Sequence, residues 1–330
     1  MARIVSLGSA LQDIYLIDHD DLTPTKIGSD AIFGKVLIGS KVDIDKPGIS
    51  TYELDKIAYE VGGAGVNSAI TFSRHGHEAI FIGNIAKDSA GNSIIKTLDA
   101  EGVDNSFVSF ISRKSTGTSV ILVDSKKGER TILTYRGASQ QFGNLSEKDL
   151  DLIQPDYLYV STLRGDFDTL ERFFKKGREI NAKIMFNPGV KELSRRDELM
   201  KLLKYVDVLI LNKSEASQLV PGVTLTELLY HLKNYVETTI ITDGAMGGIA
   251  SNGLEEYRFG LYEDVPIKDA TGAGDAFGAG FLAHLASGKS FKDSLVFASA
   301  NSTAVISKYG ANRGALEGNV KLHPMPIQKI

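Results

Sequence analysis

The sequence predicts an α/β protein built on a mostly parallel central sheet, and two features favour this fold class. Short apolar segments alternate with longer amphipathic segments through most of the chain, which is typical of parallel strands joined by crossing helices. The length of 330 residues suits one large α/β domain, and no internal repeat or long linker divides the chain. We therefore expect a single domain over residues 1–330.

Six short segments are predicted as buried strands because they are apolar and rich in β-branched or aromatic residues. These segments are Ile4–Leu7, Ala79–Ile82, Tyr157–Val160, Lys183–Phe186, Val208–Leu211 and Thr239–Thr242. Amphipathic spacing between them predicts helices such as Asp168–Asn181 and Leu225–Tyr235. Because ligands bind beyond the carboxyl ends of parallel strands, polar residues that follow a strand are the first candidates for a functional site.

A second group of strand-like segments lies outside this alternation. Its members pair as two hairpins, Phe33–Ile38 with Lys41–Ile44 and Thr116–Val123 with Glu129–Tyr135. We expect parts of 14–60 and 116–136 to form a small β lid, which would exclude water from a reaction cleft. A peripheral extension of the main sheet is the alternative.

Composition and charge exclude several classes of protein. Hydrophobic residues make up 42% and charged residues 24%, and the net charge of -4 does not favour a nucleic acid or an anionic membrane as partner. The absence of cysteine excludes disulfides and thiolate metal sites. His75 and His77 are interpreted as a polar turn after a helix, with a metal pair as the alternative. No signal peptide or membrane span is recognised, so we expect a cytoplasmic protein.

The most informative segment is the turn Thr271-Gly272-Ala273-Gly274-Asp275, which leads into a small-residue helix that is predicted to end near Ala286. Three consecutive small residues allow backbone N–H groups to converge on one anion, and a helix start adds unpaired N–H groups and partial positive charge. Asp275 at the edge of this anion hole is suited to accept the proton of an attacking hydroxyl group, as in phosphoryl transfer. A plain helix N-cap is the alternative for Asp275.

Two segments resemble the signatures of the ribokinase-like (PfkB) carbohydrate kinases. Asp-Ala-Thr-Gly-Ala-Gly-Asp-Ala-Phe at 269–277 is similar to the second signature, and Val61–Ala69, with a Gly-Gly turn before Asn67, is similar to the first. The resemblance spans the chain from Gly8 to about Gly314. It implies a ribokinase-like three-layer α/β/α fold with a small β lid. It also implies an ATP-dependent kinase that phosphorylates a hydroxymethyl group of a sugar or sugar-like molecule.

The resemblance assigns the residues that carry the reaction and hold the acceptor. Asp275 is the expected catalytic base, behind an anion hole formed by Gly272, Ala273 and Gly274. The expected acceptor-binding residues are Asp13, Gly62, Gly63 and Asn67. Asp13 also follows the first predicted strand, where capping of a local turn is the alternative.

The resemblance also implies a nucleotide site with Mg²⁺ and, in some members, K⁺. The expected nucleotide-binding residues are Asn187, Asn212, Glu215, Thr242, Gly244, Gly247 and Asn301. Glu215 would hold Mg²⁺ through water, and Asp269 and Thr271 match positions that hold a monovalent cation. A helix cap is the alternative for Asn212 and Glu215, and a plain hairpin turn is the alternative for the loop after Thr242.

The sequence leaves the acceptor open. Ala64 stands where ribokinase-type and sugar-phosphate-type members often carry Lys, which disfavours an acceptor that relies on that Lys. Arg136 and Arg164 follow predicted strands and would favour a carboxylate or phosphate on the substrate, unless they form surface ion pairs. A nucleoside kinase is the main alternative, and a non-catalytic ligand sensor is a further one. We expect a small-molecule substrate and a possible homodimer formed through the lid.

Overall fold

A computed structural model describes residues 1–18, 56–124 and 130–330, so the hairpin expected at 33–44 lies outside the described residues. The described strands are β1 (Arg3–Leu7), β2 (Leu11–Asp18), β3 (Lys56–Gly62), β4 (Glu78–Ile85), β5 (Val108–Phe110), β6 (Gly117–Asp124), β7 (Arg130–Tyr135), β8 (Tyr157–Val160), β9 (Lys183–Phe186), β10 (Val208–Asn212), β11 (Thr238–Thr242), β12 (Gly248–Ser251), β13 (Glu256–Phe259) and β14 (Ile327–Lys329).

The helices fill most of the remaining described chain. They are α1 (Ala64–Arg74), α2 (Ser89–Ala100), α3 (Asp149–Ile153), α4 (Phe167–Glu179), α5 (Val190–Leu193), α6 (Arg196–Leu202), α7 (Lys213–Leu219), α8 (Leu225–Leu232), α9 (Ala273–Ala286) and α10 (Phe291–Ile306). Single 3₁₀ turns cover Gly137–Gln140, Leu203–Tyr205 and Gly244–Met246.

The central sheet has ten strands in the order β14-β13-β12-β11-β10-β9-β8-β1-β4-β5. The strands from β11 to β5 in this order pair in parallel, whereas β12, β13 and β14 form an antiparallel edge. All six predicted strands are present in the sheet, and β8 and β9 have the predicted bounds. The expected fold class is therefore confirmed.

The core lies on both faces of this sheet, because alternate residues of each strand point to opposite sides. Val5 and Leu7 of β1 join one buried cluster, whereas Ile4 joins the other. Tyr159 of β8 likewise lies on the face opposite to its neighbours Leu158 and Val160. Burial on both faces explains why these strands are largely apolar and why helices cover both sides of the sheet.

A second sheet of four strands has the order β3-β2-β6-β7. The β2 strand pairs antiparallel to β3 and parallel to β6, with Asp13 opposite Ser119. One face buries Tyr15 and Ile121 against Tyr309. The other face leaves large apolar side chains in solvent, among them Tyr59 at 64% and Tyr135 at 56% exposure.

Three histidines pack together where α1 ends beside α9. His75 Nε2 lies 3.1 Å from His284 Nδ1, and His77 Nε2 donates to the Ala283 carbonyl at 2.7 Å. The backbone N–H of Ala2 donates to His77 Nδ1, and the His284 ring stacks on Phe297. Within the described ranges no group of three or more potential ligands is arranged to hold a metal ion. The contacts of His75 and His77 join the chain after α1 to α9.

None of the helices in the described part of the chain combines the length and the apolar character needed to cross a bilayer.

Candidate active site

The first turn of α9 presents unpaired backbone N–H groups to a cleft at the carboxyl ends of the parallel strands. Gly272 is the N-cap with φ 78°, and a Cβ there would lie 2.6 Å from Ala311 Cβ. The first helical hydrogen bond runs from Ala276 N to Gly272 O, so the N–H groups of Gly274 and Asp275 precede it. Gly274 is exposed with open space where a Cβ would stand. This arrangement suits an anion of phosphate type.

Asp275 lies in this first turn, three residues after the N-cap, and its side chain is directed to α1. Asn67 Nδ2 donates to Asp275 Oδ2 at 3.1 Å. Burial raises the pKa of Asp275 to about 6, although the bond from Asn67 acts in the opposite direction. Since Gly272 occupies the N-cap position, Asp275 does not cap the helix, and its carboxylate is directed towards other groups of the cleft.

Asn312 fixes the orientation of Asn67. Its Nδ2 donates to Asn67 Oδ1 at 3.0 Å and to the Val61 carbonyl at 2.7 Å. The oxygen of the Asn67 amide is thereby occupied, so its nitrogen faces Asp275. Asn67 and Asn312 are both buried. The sequence did not point to Asn312, because its role depends on a contact between residues far apart in the chain.

Asp13 lies on β2 beside the Gly62-Gly63 turn. Its side chain is only 4% exposed, and the position of a Cβ at Gly62 would be 2.0 Å from Asp13 Oδ2. Burial raises the pKa of Asp13 to about 6, a hydrogen bond with Ser119 opposes this, and the charges of Asp269 and Asp275 add to it. Asp13 and Asp275 therefore belong to one electrostatic environment.

Gly63 adopts φ 95° just before α1, in the region that favours glycine. A Cβ at this position would lie 2.6 Å from the Ser9 carbonyl oxygen. That same oxygen accepts hydrogen bonds from the N–H groups of Gly65 and Val66. The Gly-Gly turn thus brings the start of α1 directly against the chain that follows β1.

Asp269 and Thr271 lie just before the anion hole. Tyr15 Oη donates to Asp269 Oδ2 at 2.6 Å, and the Thr271 N–H donates to Asp269 Oδ1 at 2.8 Å. Burial, followed by the charge of Asp269, raises the pKa of Tyr15, so the phenol remains a donor. The Thr271 hydroxyl is buried without a hydrogen-bond partner among the described atoms. A buried carboxylate beside such a hydroxyl fits a monovalent cation.

Asn212 and Glu215 form a reciprocal cap at the start of α7. Asn212 Oδ1 accepts from the Glu215 N–H at 2.9 Å, and Glu215 Oε2 accepts from the Asn212 N–H at 2.8 Å. Burial raises the pKa of Glu215, the bonds from Asn212 oppose this, and the charge of Asp275 adds to it. The cap therefore also directs a carboxylate to the cleft that contains Asp275.

The loop after β11 contains Thr242, Gly244 and Gly247 at the same sheet edge. The Asp243 N–H donates to the Gly247 carbonyl at 2.7 Å, and the antiparallel pairing of β11 with β12 closes the loop as a hairpin. Asp243 Oδ2 lies 3.5 Å from Lys213 Nζ, which offsets the negative charge of this carboxylate. Gly244 is exposed, with no atom near the position of a Cβ.

Asn187 and Asn301 occupy different environments. Asn187 follows β9 and faces the fully buried Tyr159 hydroxyl, which lies under α9 at Gly278. Asn301 is completely buried, donates to the Ala276 carbonyl at 2.7 Å and accepts from the Leu316 N–H at 2.7 Å. Asn301 therefore ties α10 to its neighbours with both ends of its amide, and its expected role in nucleotide binding stays a prediction.

Arg136 and Arg164 follow β7 and β8, respectively, and lie within electrostatic range of each other. Burial, followed by the charge of Arg164, lowers the pKa of Arg136, and Asp13 partly offsets this. Arg136 is therefore in electrostatic range of Arg164 and of Asp13, and its expected role in substrate binding stays a prediction. Sequence analysis missed Tyr15, Tyr159 and Asn312, which support the site from strands and loops without any local motif.

The comparisons with known proteins agree with this fold. Residues 32–317 match the family model described as pfkB family carbohydrate kinase. The ribokinase of Haemophilus influenzae is 29% identical over 278 residues, which cover 81% of this chain and 87% of that protein.

Solved structures give the same fold. The Arabidopsis thaliana ribokinase complexed with ribose and ATP superimposes with a TM-score of 0.76 at 21% identity and covers 96% of each chain. The adenosine kinase of Sinorhizobium meliloti also has a TM-score of 0.76 at 21% identity, covering 94% of this chain and 95% of that one.

The chain belongs to the pfkB family of carbohydrate kinases. It is accordingly a phosphotransferase with an alcohol group as acceptor, and the expected family, fold and enzyme class are confirmed.

Proposed function

We propose that this chain is an ATP-dependent kinase that transfers the γ-phosphoryl group to a hydroxymethyl group of a sugar or sugar-like molecule. The observation that carries the proposal is Asp275, which is hydrogen-bonded to Asn67 at the N-terminal turn of α9. With a pKa raised to about 6, this carboxylate is mostly ionised at neutral pH and is a stronger base than an ordinary Asp. Related ribokinases support a sugar as acceptor.

In the proposed mechanism the acceptor hydroxyl lies between Asp13 and Asp275. As the hydroxyl oxygen forms a bond to the γ-phosphorus, its proton passes to the Asp275 carboxylate. The bond from the γ-phosphorus to the β–γ bridging oxygen breaks, and ADP leaves with those electrons. The N–H groups of Gly274 and Asp275, with Gly272 and Ala273 shaping the turn, stabilise the charge on the phosphoryl oxygens.

The nucleotide is expected on the edge formed by α7 and the loop after β11. Thr242, Gly244 and Gly247 offer a small-residue surface for the phosphates and ribose, and Asn187 adds an amide at the end of β9. Glu215 retains a carboxylate oxygen outside its helix cap, which fits a water-mediated contact with Mg²⁺. When bound there, Mg²⁺ would add positive charge beside the transferred phosphate.

Asp269 and Thr271 are proposed to hold K⁺. The support is the buried carboxylate of Asp269 beside the unsatisfied hydroxyl of Thr271, directly before the anion hole. When bound, a monovalent cation would add positive potential behind the N–H groups of α9.

A nucleoside remains the alternative acceptor, and the fold shared with an adenosine kinase is compatible with it but does not favour it. A non-catalytic sensor is disfavoured, because Asp275 and the small residues of the anion hole are all present.

The four-stranded sheet is proposed to act as the lid. Its strand β2 carries Asp13, and Arg136 directly follows its strand β7. Its solvent-facing side exposes Ile57 at 51% and Tyr59 at 64%, which supports the expected homodimer through this sheet. The cytoplasmic location also stays a prediction, and cell fractionation checks it.

An ADP-release screen over sugars, sugar acids, sugar phosphates and nucleosides tests the function. We expect ADP formation that requires ATP, Mg²⁺ and one class of acceptor, with the product identified by mass spectrometry. ADP formation that does not respond to any acceptor would contradict the proposal.

A further inference from the structure

Arg136 and Arg164 come from separate loops but lie within electrostatic range of each other. Arg136 follows β7 of the small sheet, whereas Arg164 follows β8 of the central sheet. Their charges are close enough to interact, and Asp13 is the carboxylate that also interacts with Arg136. Two positive charges in a partly buried place repel each other, so we expect a negative group to offset this repulsion.

No carboxylate within the described ranges comes within ion-pair distance of either arginine. Other arginines of the chain do pair, as Arg178 does with Asp207 at 3.0 Å. In addition, the Arg164 Nε atom is buried and has no hydrogen-bond partner in the described structure. The two guanidinium groups are therefore left with donors that an anion would satisfy.

The backbone of Arg164 is held in a conformation that is rare for a residue with a side chain. Its φ angle is 62°, in the left-handed region. A completely buried carboxylate, that of Glu192, maintains the surrounding loop. It accepts hydrogen bonds from Thr162 Oγ1 (2.7 Å), Leu163 N (2.9 Å), Gly165 N (2.8 Å) and Gly189 N (3.0 Å). An unusual backbone held in this way is typical of a functional position.

The position of Arg136 is fixed equally well. Its carbonyl accepts from the Ser139 N–H at 2.9 Å. The Ser139 hydroxyl, buried completely, accepts from the Ala10 N–H at 3.1 Å and donates to the Ala10 carbonyl at 2.9 Å. Ala10 directly precedes β2, which carries Asp13. Arg136 is thus positioned relative to the same strand that places Asp13 in the cleft.

We propose that Arg136 and Arg164 together bind an anionic group, either a carboxylate or a phosphate, on the acceptor whose hydroxyl is phosphorylated. The planar guanidinium groups match the oxygen pairs of both anions, and the anion relieves the repulsion between the two arginines. Glu192 acts as a positioning residue for Arg164. This inference rests on the proposed kinase function and narrows the class of its acceptor.

The test compares charged acceptors with their uncharged parents. D-gluconate is paired with D-glucose and D-fructose 6-phosphate with D-fructose, followed by other sugar acids and sugar phosphates paired in the same way. We expect kcat/KM for the charged member of one class to exceed that of its parent by about 100-fold or more. Preference for sugar acids identifies a carboxylate as the bound group, and preference for sugar phosphates identifies a phosphate.

Substitutions then connect this preference to the arginines. Arg136→Met and Arg164→Met should each lower the charged-to-uncharged ratio of kcat/KM by about 10- to 100-fold, mainly through KM. Glu192→Gln should lower the charged-to-uncharged ratio of kcat/KM less than the arginine variants do. The effect should appear as a higher KM for the charged acceptor, with kcat unchanged. Arg178→Met is the matched control, because Arg178 pairs with Asp207 elsewhere, and the ratio should not change. Melting temperatures check that each variant is folded.

The outcomes separate this inference from the kinase function. The inference is overturned if the charged-to-uncharged ratio of kcat/KM is near one, or if both arginine variants leave that ratio unchanged. Phosphoryl transfer itself would still stand in either case. If no acceptor is phosphorylated but calorimetry detects arginine-dependent binding of sugar acids or sugar phosphates, the anion site stands and the kinase function fails. Absence of arginine-dependent binding of both kinds of charged probe overturns the inference.

Discussion

The Asn67 amide donates a hydrogen bond to the Asp275 carboxylate across the gap between α1 and α9, at 3.1 Å. This bond stabilises the ionised form of Asp275 and lowers its pKa, against the larger effect of burial. The two residues belong to the two separate sequence signatures, so the contact joins them into one site.

Replacing Asn67 with Ala should therefore move the pH dependence of turnover. Loss of this hydrogen bond to the carboxylate should raise the pKa of Asp275 by about one unit. The acid limb of the kcat profile, expected near pH 6, should therefore shift upward by about the same amount. Asn312→Ala, which leaves the donor in place but frees its orientation, should give a smaller shift. An acid limb that stays where it is in Asn67→Ala would rule out this role for the bond.

Replacing Asp275 with Asn should remove the proposed base while keeping the shape of the side chain. We expect kcat to fall by about 10²- to 10⁴-fold and the Kd for ATP to change little, as measured by steady-state assay and calorimetry. In the unmodified protein, kcat should decline as the pH falls through about 6, because Asp275 then becomes protonated. Near-normal turnover of Asp275→Asn would contradict the assignment.

The two glycines of the anion hole should differ in their response to Ala. Gly272→Ala combines φ 78° with a Cβ 2.8 Å from the Ala311 carbonyl oxygen, so unfolding by denaturant should show a loss of about 2 kcal/mol or more. Gly274→Ala places its methyl group in open space and should change stability by about 0.5 kcal/mol or less. Equal stability of both variants would show that the turn relaxes freely.

Potassium should stimulate the reaction, because Asp269 and Thr271 are expected to hold a monovalent cation behind the anion hole. We expect kcat to rise severalfold between sodium-free buffer and buffer with K⁺, and Asp269→Asn to remove most of the increase. The comparison uses tetramethylammonium chloride at equal ionic strength as a control for screening. Turnover that is the same in both salts would disprove the cation site.

The cluster of His75, His77 and His284, where α1 ends beside α9, should make folding stability decrease in acid. Burial, followed by the charges of His77 and His284, lowers the pKa of His75 to about 4, and burial also lowers the pKa of His77 and His284. The contribution of these uncharged histidines to the free energy of unfolding is complete above their pKa in the unfolded chain, near 6.5. It is lost as the pH falls towards 4.

Denaturant titrations at pH 7.5, 5.5 and 4.5 measure this loss. For His75, the free energy of unfolding should decrease by about 1 to 2 kcal/mol over this range, after allowance for partial solvent screening. His75→Gln should reduce the pH dependence, whereas His323→Gln, at an exposed position near the C-terminus, should not. An identical pH dependence in all three proteins would argue against the histidine cluster.

Local sequence was sufficient to predict the parts of the site that local chemistry determines. The small residues before α9, the cap formed by Asn212 and Glu215, and the strand ends all follow from short-range preferences for turns, caps and buried strands. Asn212 and Glu215 also show that a cap and an approach to the cleft are compatible, because the second carboxylate oxygen remains available.

Other features depended on contacts that no local pattern encodes. Asn312 and Asn67 are 245 residues apart in the chain, and Tyr15 and Asp269 are 254 apart. The surroundings of Asn301 depend on such a contact too, because helix packing directs its amide to the Ala276 carbonyl. The role of Glu192 likewise arises only when two loops meet.

The close approach of Gly63 to the Ser9 carbonyl has a practical consequence for large-scale mutagenesis. In a library selected by growth, nearly every replacement of Gly63 should be depleted as strongly as replacements of Asp275, although Gly63 has no side chain to take part in the reaction. Measuring protein abundance in parallel would separate the two, because Gly63 variants would be lost from the cell while Asp275 variants would accumulate as inactive protein.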